Sequence, residues 1–185
     1  MQDCKPIFTP LPVNFKKSSS MGHSNEAERK EMSRVPYSYA SAVRSLMFAT
    51  ICTRPNITQA VGAVNRYMGN PGGEYWKTVK RILRHIKGTL NVESCYGGSK
   101  FIVRGYVDSD FAGDLDKRKA TTSYMFALIR GVVSGVLKLQ IVMVLSTTET
   151  EYMVATQACK EAIWIQRLIN ELGHEQEKIS VFCDS

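Results

Sequence analysis

The feature that most limits the fold is a change of hydrophobic period near residue 91. Before it, apolar residues recur every three to four positions; after it they alternate. A 3.6 period demands a buried helix face, and a period of 2 demands a strand with two different sides. Ala40, Val43, Leu46 and Met47 predict a helix over 38–52, which Arg54-Pro55 stops. Ile57, Ala60, Val61, Val64, Tyr67 and Met68 predict a second helix, broken by Asn70-Pro71-Gly72-Gly73. Trp76, Val79, Ile82, Leu83 and Ile86 predict a third from Glu74 to Lys87, with Gly88 as its C-cap. These stripes read as core.

Beyond residue 91 the pattern predicts strands at Val92–Tyr96, Phe101–Val107 and Thr122–Ile129, with Arg130-Gly131 as a turn. Further strand pieces follow at Val132–Ser134 and Ile141–Leu145. Short connections between them imply an antiparallel meander. Ser146-Thr147-Thr148-Glu149 is a capping box that opens a long helix to about Leu172, closed by Gly173. Ile179–Cys183 then comes after a helical crossover, so it should run parallel to the strand it joins. The fold class expected is α/β: a mixed sheet of meander, helix and parallel strand, preceded by a small helical segment. The divisions expected are an extended linker over 1–34, where Pro6, Pro10 and Pro12 impose extended backbone, a helical segment over 35–90, and the sheet unit over 91–185. Glu26–Arg34 is a charge cluster able to make one short exposed helix.

Chemistry concentrates at strand ends. The run FIVRGYVDSDFAGDLD ends in Asp108, Asp110, Asp114 and Asp116. Alternation puts Asp108 and Asp110 on one side, where they need solvent, a basic partner or a divalent cation. Asp184 ends the last predicted strand. If that strand lies parallel to and beside the one ending at Asp108, both carboxylates share a sheet edge, and the long helix starts near it. Glu151, Ala155, Ala158 and Ala162 form one helix face whose small side chains allow close approach to a sheet. Glu151 is therefore expected inward, toward the acidic edge, and Glu149 is expected to cap the helix. Asp108, Glu151 and Asp184 are expected to come within roughly 4–8 Å of one another, as ligands of a metal pair do. Oxygen ligands alone favour Mg²⁺ or Mn²⁺ over zinc.

Charge is uneven along the chain. Residues 1–100 carry 15 Lys and Arg against 6 Asp and Glu, and residues 101–185 carry 9 against 11. Lys77, Lys80, Arg81, Arg84 and Lys87 line one face of the third helix. Like charges at that spacing repel, so the stripe fits either a nucleic-acid phosphate backbone or plain solvation. The five cysteines are scattered and contain no CxxC pair, which speaks for free thiols and against zinc or a disulfide framework. No apolar run reaches bilayer-spanning length, and the first residues lack a signal-peptide core.

At this point a resemblance is legible. GYVDSDFAGD, KRKATTSYMF, LSTTETEYMVA and VFCDS closely resemble the ribonuclease H domain of copia-type retrotransposon polyproteins. VPYSYASAVRSLMFATICTRPNITQAVGAVNRYMGNPG and WKTVKRILRHIKGT resemble the end of the same polyprotein's reverse transcriptase. The resemblance implies a ribonuclease H-like fold and metal-dependent hydrolysis of the RNA strand of RNA–DNA hybrids. It puts the family's first aspartate on Asp108, its helix glutamate on Glu151 and its next strand-end aspartate on Asp184. The implied partners are nucleic acid and the rest of the polyprotein, without a membrane. The implied setting is the cytoplasm, with virus-like particles as one location.

Several positions depart from the family pattern. Gly135 stands where the family has Trp, and Ser123 where it has Gly. The polymerase motif YVDD is absent, and the family continues past VFCDS with further helices, a strand and a fourth aspartate. The chain is thus expected to be a truncated module that does not cut hybrids unaided. Val181, Phe182 and the inner face of the 147–172 helix are expected to stay exposed and favour aggregation. The competing reading is a non-catalytic remnant that binds nucleic acid weakly. An integrase shares the chemistry, but its acidic residues run Asp, Asp, Glu, whereas here they run Asp, Glu, Asp.

Overall fold

The computed structural model describes residues 4–12, 15, 18, 22, 26, 27, 30, 38–93, 96, 101–111, 114, 116, 118–129, 131–141 and 144–183. The chain divides into two compact units, residues 1–93 and 94–185. In the first unit, α1 spans Tyr39–Cys52, a single 3₁₀ turn spans Pro55–Ile57, α2 spans Thr58–Asn65 and α3 spans Gly73–Gly88. The Ser38 hydroxyl caps α1 by accepting from the Ser41 amide at 3.1 Å. Val43, Leu46, Ile57, Val61, Val64, Val79 and Ile82 form one core, along the stripes that the 3.6 period marks. Tyr75 is fully buried among them, stacked on Tyr67 with ring centroids 4.3 Å apart. The Tyr39 hydroxyl donates to Val64 O at 2.7 Å, and burial first, then neighbouring Tyr75, pushes its pKa well above the usual tyrosine value.

The amino-terminal stretch is extended, as its prolines require, but it does not run free. Leu11 and Phe15 pack against the helical core, and the Tyr75 hydroxyl donates to Ser18 O at 2.7 Å. Glu26, Ala27 and Lys30 are helical and exposed. Gly88 closes no helix, because the C-cap is Thr89. The glycine is there for space: a Cβ at position 88 would lie 2.8 Å from Pro6 Cβ. Arg54 fixes the end of α3 from the side, donating to Thr89 Oγ1 and Thr89 O at 2.9 Å each.

The second unit is a four-stranded mixed sheet in the order β3-β2-β1-β4, with α4 (Thr147–Glu171) across one face. The strands are β1 (Val103–Asp110), β2 (Thr121–Leu128), β3 (Gly131–Leu139) and β4 (Ser180–Cys183). β1–β2 and β2–β3 are antiparallel, and β1–β4 is parallel, as the crossover helix dictates. Some expected strands differ. Val92 and Glu93 are not in a strand, the piece expected at 132–134 is the start of a longer strand, 131–139, continuous through Gly135, and Ile141, Val144 and Leu145, from the piece expected at 141–145, are not in a strand. A bulge between Phe126 and Ala127 absorbs the register change beside the 128–131 connection. Ile129 there has φ +59°, the left-handed backbone of a tight reversal.

The capping box forms. Ser146 Oγ accepts from the Glu149 amide at 3.1 Å, and Glu149 Oε2 accepts from the Leu145 amide at 2.9 Å. We expect Ser146→Ala to destabilise the second unit by about 1 kcal/mol in urea unfolding, the usual worth of such a cap.

The line of α4 that meets the sheet is Thr150, Val154, Ala158, Ala162, Ile165 and Ile169. This corrects the expected phase: Ala158 and Ala162 do face inward, but Glu151 is exposed. Val154, Ile165 and Ile169 bury far more area than alanines do, so they set the rotation of the helix. Thr150 can accompany them because its hydroxyl donates to Ser146 O at 3.1 Å. The helix's inner face is therefore buried, not exposed as expected, against Val103, Val107, Phe126 and Leu128, and Val181 packs with the same cluster. Phe182 is exposed on the other side of the sheet. There Phe182, Tyr106, Met125 and Gly135 lie in register across all four strands, and the rings of Tyr106 and Phe182 stack at 5.6 Å.

Candidate active site and cationic face

β1 delivers its acidic end as the alternation requires. Val103, Gly105 and Val107 face α4, so Asp108 and Asp110 fall on the opposite, exposed side. Asp108 sits across from Ser123 in β2. Asp114 departs from the group: it is buried within a turn in which its amide donates to Lys119 O at 3.2 Å and its carbonyl accepts from the Arg118 amide at 2.8 Å. On the parallel side, Cys183 of β4 is in register with Val107, the residue before Asp108. Asp184 lies outside the described residues.

Glu151 is in the first turn of α4. β3 runs parallel to β1 and β4, so the helix that follows β3 begins at the edge where β1 and β4 end. Topology thus brings the Asp108 strand end and the Glu151 turn to one edge of the sheet. Among the described residues, neither side chain has a hydrogen-bond or ion-pair partner. Nor do three His, Cys, Asp or Glu residues among them gather into a group that could hold a metal ion. Glu149, by contrast, is occupied by the cap. Behind the sheet, Ser134 Oγ donates to Glu161 Oε1, and burial together with Glu161 raises the pKa of Tyr124. Cys4, Cys52, Cys159 and Cys183 are free thiols. No helix among the described residues is long and apolar enough to cross a membrane.

The cationic stripe of α3 is largely engaged within its own unit. Lys77 pairs with Glu74, and Lys80 Nζ lies 5.7 Å from the Trp76 ring centroid. Arg81 donates through Nε to Thr9 O at 3.1 Å and through Nη2 to Thr9 Oγ1 at 2.8 Å. Arg84 Nε donates to Lys5 O at 2.7 Å, and Lys87 Nζ to Cys4 O at 3.0 Å. Buried His85 has Nδ1 3.2 Å from Ile7 O. Sequence reasoning missed these acceptors. Apart from the Thr9 hydroxyl they are main-chain carbonyls, 72 to 83 residues away, and no side-chain pattern announces them.

No protein-family profile matches the chain, and no solved structure matches it. Individual proteins do. The chain is 48% identical over its full length to the retrovirus-related Pol polyprotein from transposon TNT 1-94 of Nicotiana tabacum, of which it spans 14%. It is 30% identical, again over its full length, to the retrovirus-related Pol polyprotein from transposon RE2 of Arabidopsis thaliana, of which it spans 12%. A shorter relative, secreted RxLR effector protein 161 of Plasmopara viticola, is 38% identical over 72% of the chain and 94% of its own length. End-to-end similarity to two transposon polyproteins, at one level in tobacco and a lower one in Arabidopsis, identifies the chain as a segment belonging to the Pol polyprotein family of copia-type retrotransposons.

Proposed function

We propose that residues 94–185 are part of a ribonuclease H module that hydrolyses the RNA strand of RNA–DNA hybrids during reverse transcription, and that residues 35–93 are the tail of the reverse transcriptase region before it. The observation that carries this reading is the parallel pairing of β4 with β1, in which Cys183 matches the residue before Asp108. A helix that starts at the same edge adds Glu151. Unpaired carboxylates at a strand end are hard oxygen donors, and they fit Mg²⁺ or Mn²⁺. Asp108, Glu151 and Asp184 would hold the metal. When bound, such ions supply Lewis-acid stabilisation of the phosphodiester oxygens and a water of lowered pKa. The protein's own part is to fix the carboxylates on rigid elements: Asp108 by the β1 ladder and Glu151 by the capped start of α4. The cationic face of α3 would contact phosphates without reading sequence.

The reading is tested in a chimera in which this chain replaces the matching segment of the tobacco polyprotein. With millimolar Mg²⁺, the chimera should shorten the labelled RNA strand of a hybrid, and with chelator it should not. Hybrid binding without Mg²⁺-dependent cleavage would overturn the catalytic reading in favour of a remnant that only binds.

A further inference from the structure

The α3 cations face two possible classes of oxygen, and one of them is already in place. Along about two turns of α3, four cationic or imidazole side chains (Arg81, Arg84, His85 and Lys87) meet the carbonyls of Thr9, Lys5, Ile7 and Cys4, in broadly antiparallel order. The approach is close, because Pro6 rests where any side chain at position 88 would have to go. Arg81, Arg84 and Lys87 are half-buried under this stretch, whereas Lys77 and Lys80 are exposed. A peptide carbonyl is a neutral acceptor. A phosphate oxygen carries charge and makes the stronger bond to the same donor.

We propose that residues 4–11 are a displaceable strap, and that the strap and a nucleic-acid backbone are mutually exclusive occupants of the Arg81, Arg84 and Lys87 face. This rests on the nucleic-acid reading given above and adds its regulation. With the strap seated, a duplex reaches only Lys77 and Lys80, and these are themselves engaged by Glu74 and Trp76. With the strap lifted, three more cations become available to phosphates. Besides these bonds the strap is anchored at its far end, where Leu11 packs against the helical core, and its remaining length presents little apolar surface to α3. Lys5, Pro6, Phe8 and Thr9 are exposed, and Phe8 buries almost nothing.

Gly88→Ala is the informative variant. It alters none of the cations, and its added Cβ collides with the Pro6 ring, which has no flexible end to move aside. Position 88 does not have left-handed backbone, so alanine is tolerated by α3 itself. Binding of a fluorescent 20-base-pair RNA–DNA hybrid to the full chain would be followed by anisotropy across a salt series. For Gly88→Ala we expect roughly tenfold tighter binding at low salt. We also expect a slope of log K against log salt steeper by about two to three, near 0.9 for each phosphate gained. In the unmodified chain, iodoacetamide labelling of Cys4, read by peptide mass spectrometry, should rise several-fold when hybrid is added.

Equal affinity and equal slope for the two proteins would overturn the strap while leaving nucleic-acid binding intact. Cys4 labelling that stays constant with hybrid bound would do the same without reliance on a variant. Absence of binding by both proteins at low salt would overturn the nucleic-acid reading and the strap with it.

Discussion

Replacing Phe126 by alanine should destabilise the sheet unit by about 3–5 kcal/mol, the usual cost of emptying a buried phenylalanine site. Domains of this size have total stabilities of only about 5–15 kcal/mol, so this single change would leave much of the unit unfolded at moderate temperature. Phe126 is fully buried and packs edge-on to Tyr124, with ring centroids 6.0 Å apart. Its ring fills the space in front of Gly105, its cross-strand partner in β1. A Cβ on Gly105 would lie 2.6 Å from Phe126 Cε1 and 3.1 Å from Cζ. Gly105 is thus a packing glycine in ordinary strand backbone, and Gly105→Ala should cost about 1–3 kcal/mol by overpacking. The pair makes a checkable cycle. Phe126→Leu in the Gly105→Ala background should cost less than the sum of the two single changes, because the smaller side chain accepts the new methyl group. Urea unfolding followed by circular dichroism gives each corner. Strict additivity would mean that the ring and the glycine do not share the space.

What could be read from the residues follows from the range of each interaction. Helices α1, α2 and α3 announce themselves because each buries a stripe at a fixed local period, and Ile57, Val61, Val64, Val79 and Ile82 are all core. The capping box is a four-residue signal, and the Ser146 and Glu149 contacts follow it. Parallel pairing of β4 with β1 was legible from a topological rule, since a crossover helix precedes it. The rotation of α4 was not. A stripe of small residues suggests close approach, but Val154, Ile165 and Ile169 occupy the neighbouring line and bury more. The continuity of β3 was hidden by Gly135, which reads locally as a break yet pairs with Met125 in mid-ladder. Least legible was the partner of the cationic stripe. Its charges suggested an external polyanion, while Arg81, Arg84 and Lys87 donate to carbonyls of the chain's own amino-terminal stretch, whose positions follow from tertiary packing alone.

The largest functional effect should come from the acidic edge, and two glutamates two residues apart make its test sharp. In the tobacco chimera, Asp108→Asn should lower the rate of RNA-strand cleavage at least a hundredfold, about 3 kcal/mol of transition-state stabilisation. Hybrid affinity should stay unchanged in chelator, because an exposed strand-end carboxylate contributes nothing to phosphate binding. Glu151→Gln should reproduce that loss. The amide keeps size and helix propensity but removes the charge a divalent cation needs. Glu149→Gln should behave differently. Its carboxylate accepts from the Leu145 amide, and glutamine can still do so, so cleavage should persist with at most a small loss of stability. The exposure of Glu151 is compatible with this outcome, since a ligand to an ion at the sheet edge must reach past the packed line of Thr150 and Val154 and not lie within it. Should Glu149→Gln abolish cleavage while Glu151→Gln spares it, the roles of cap and ligand would have to be exchanged, and the carboxylate set would become Asp108, Glu149 and Asp184.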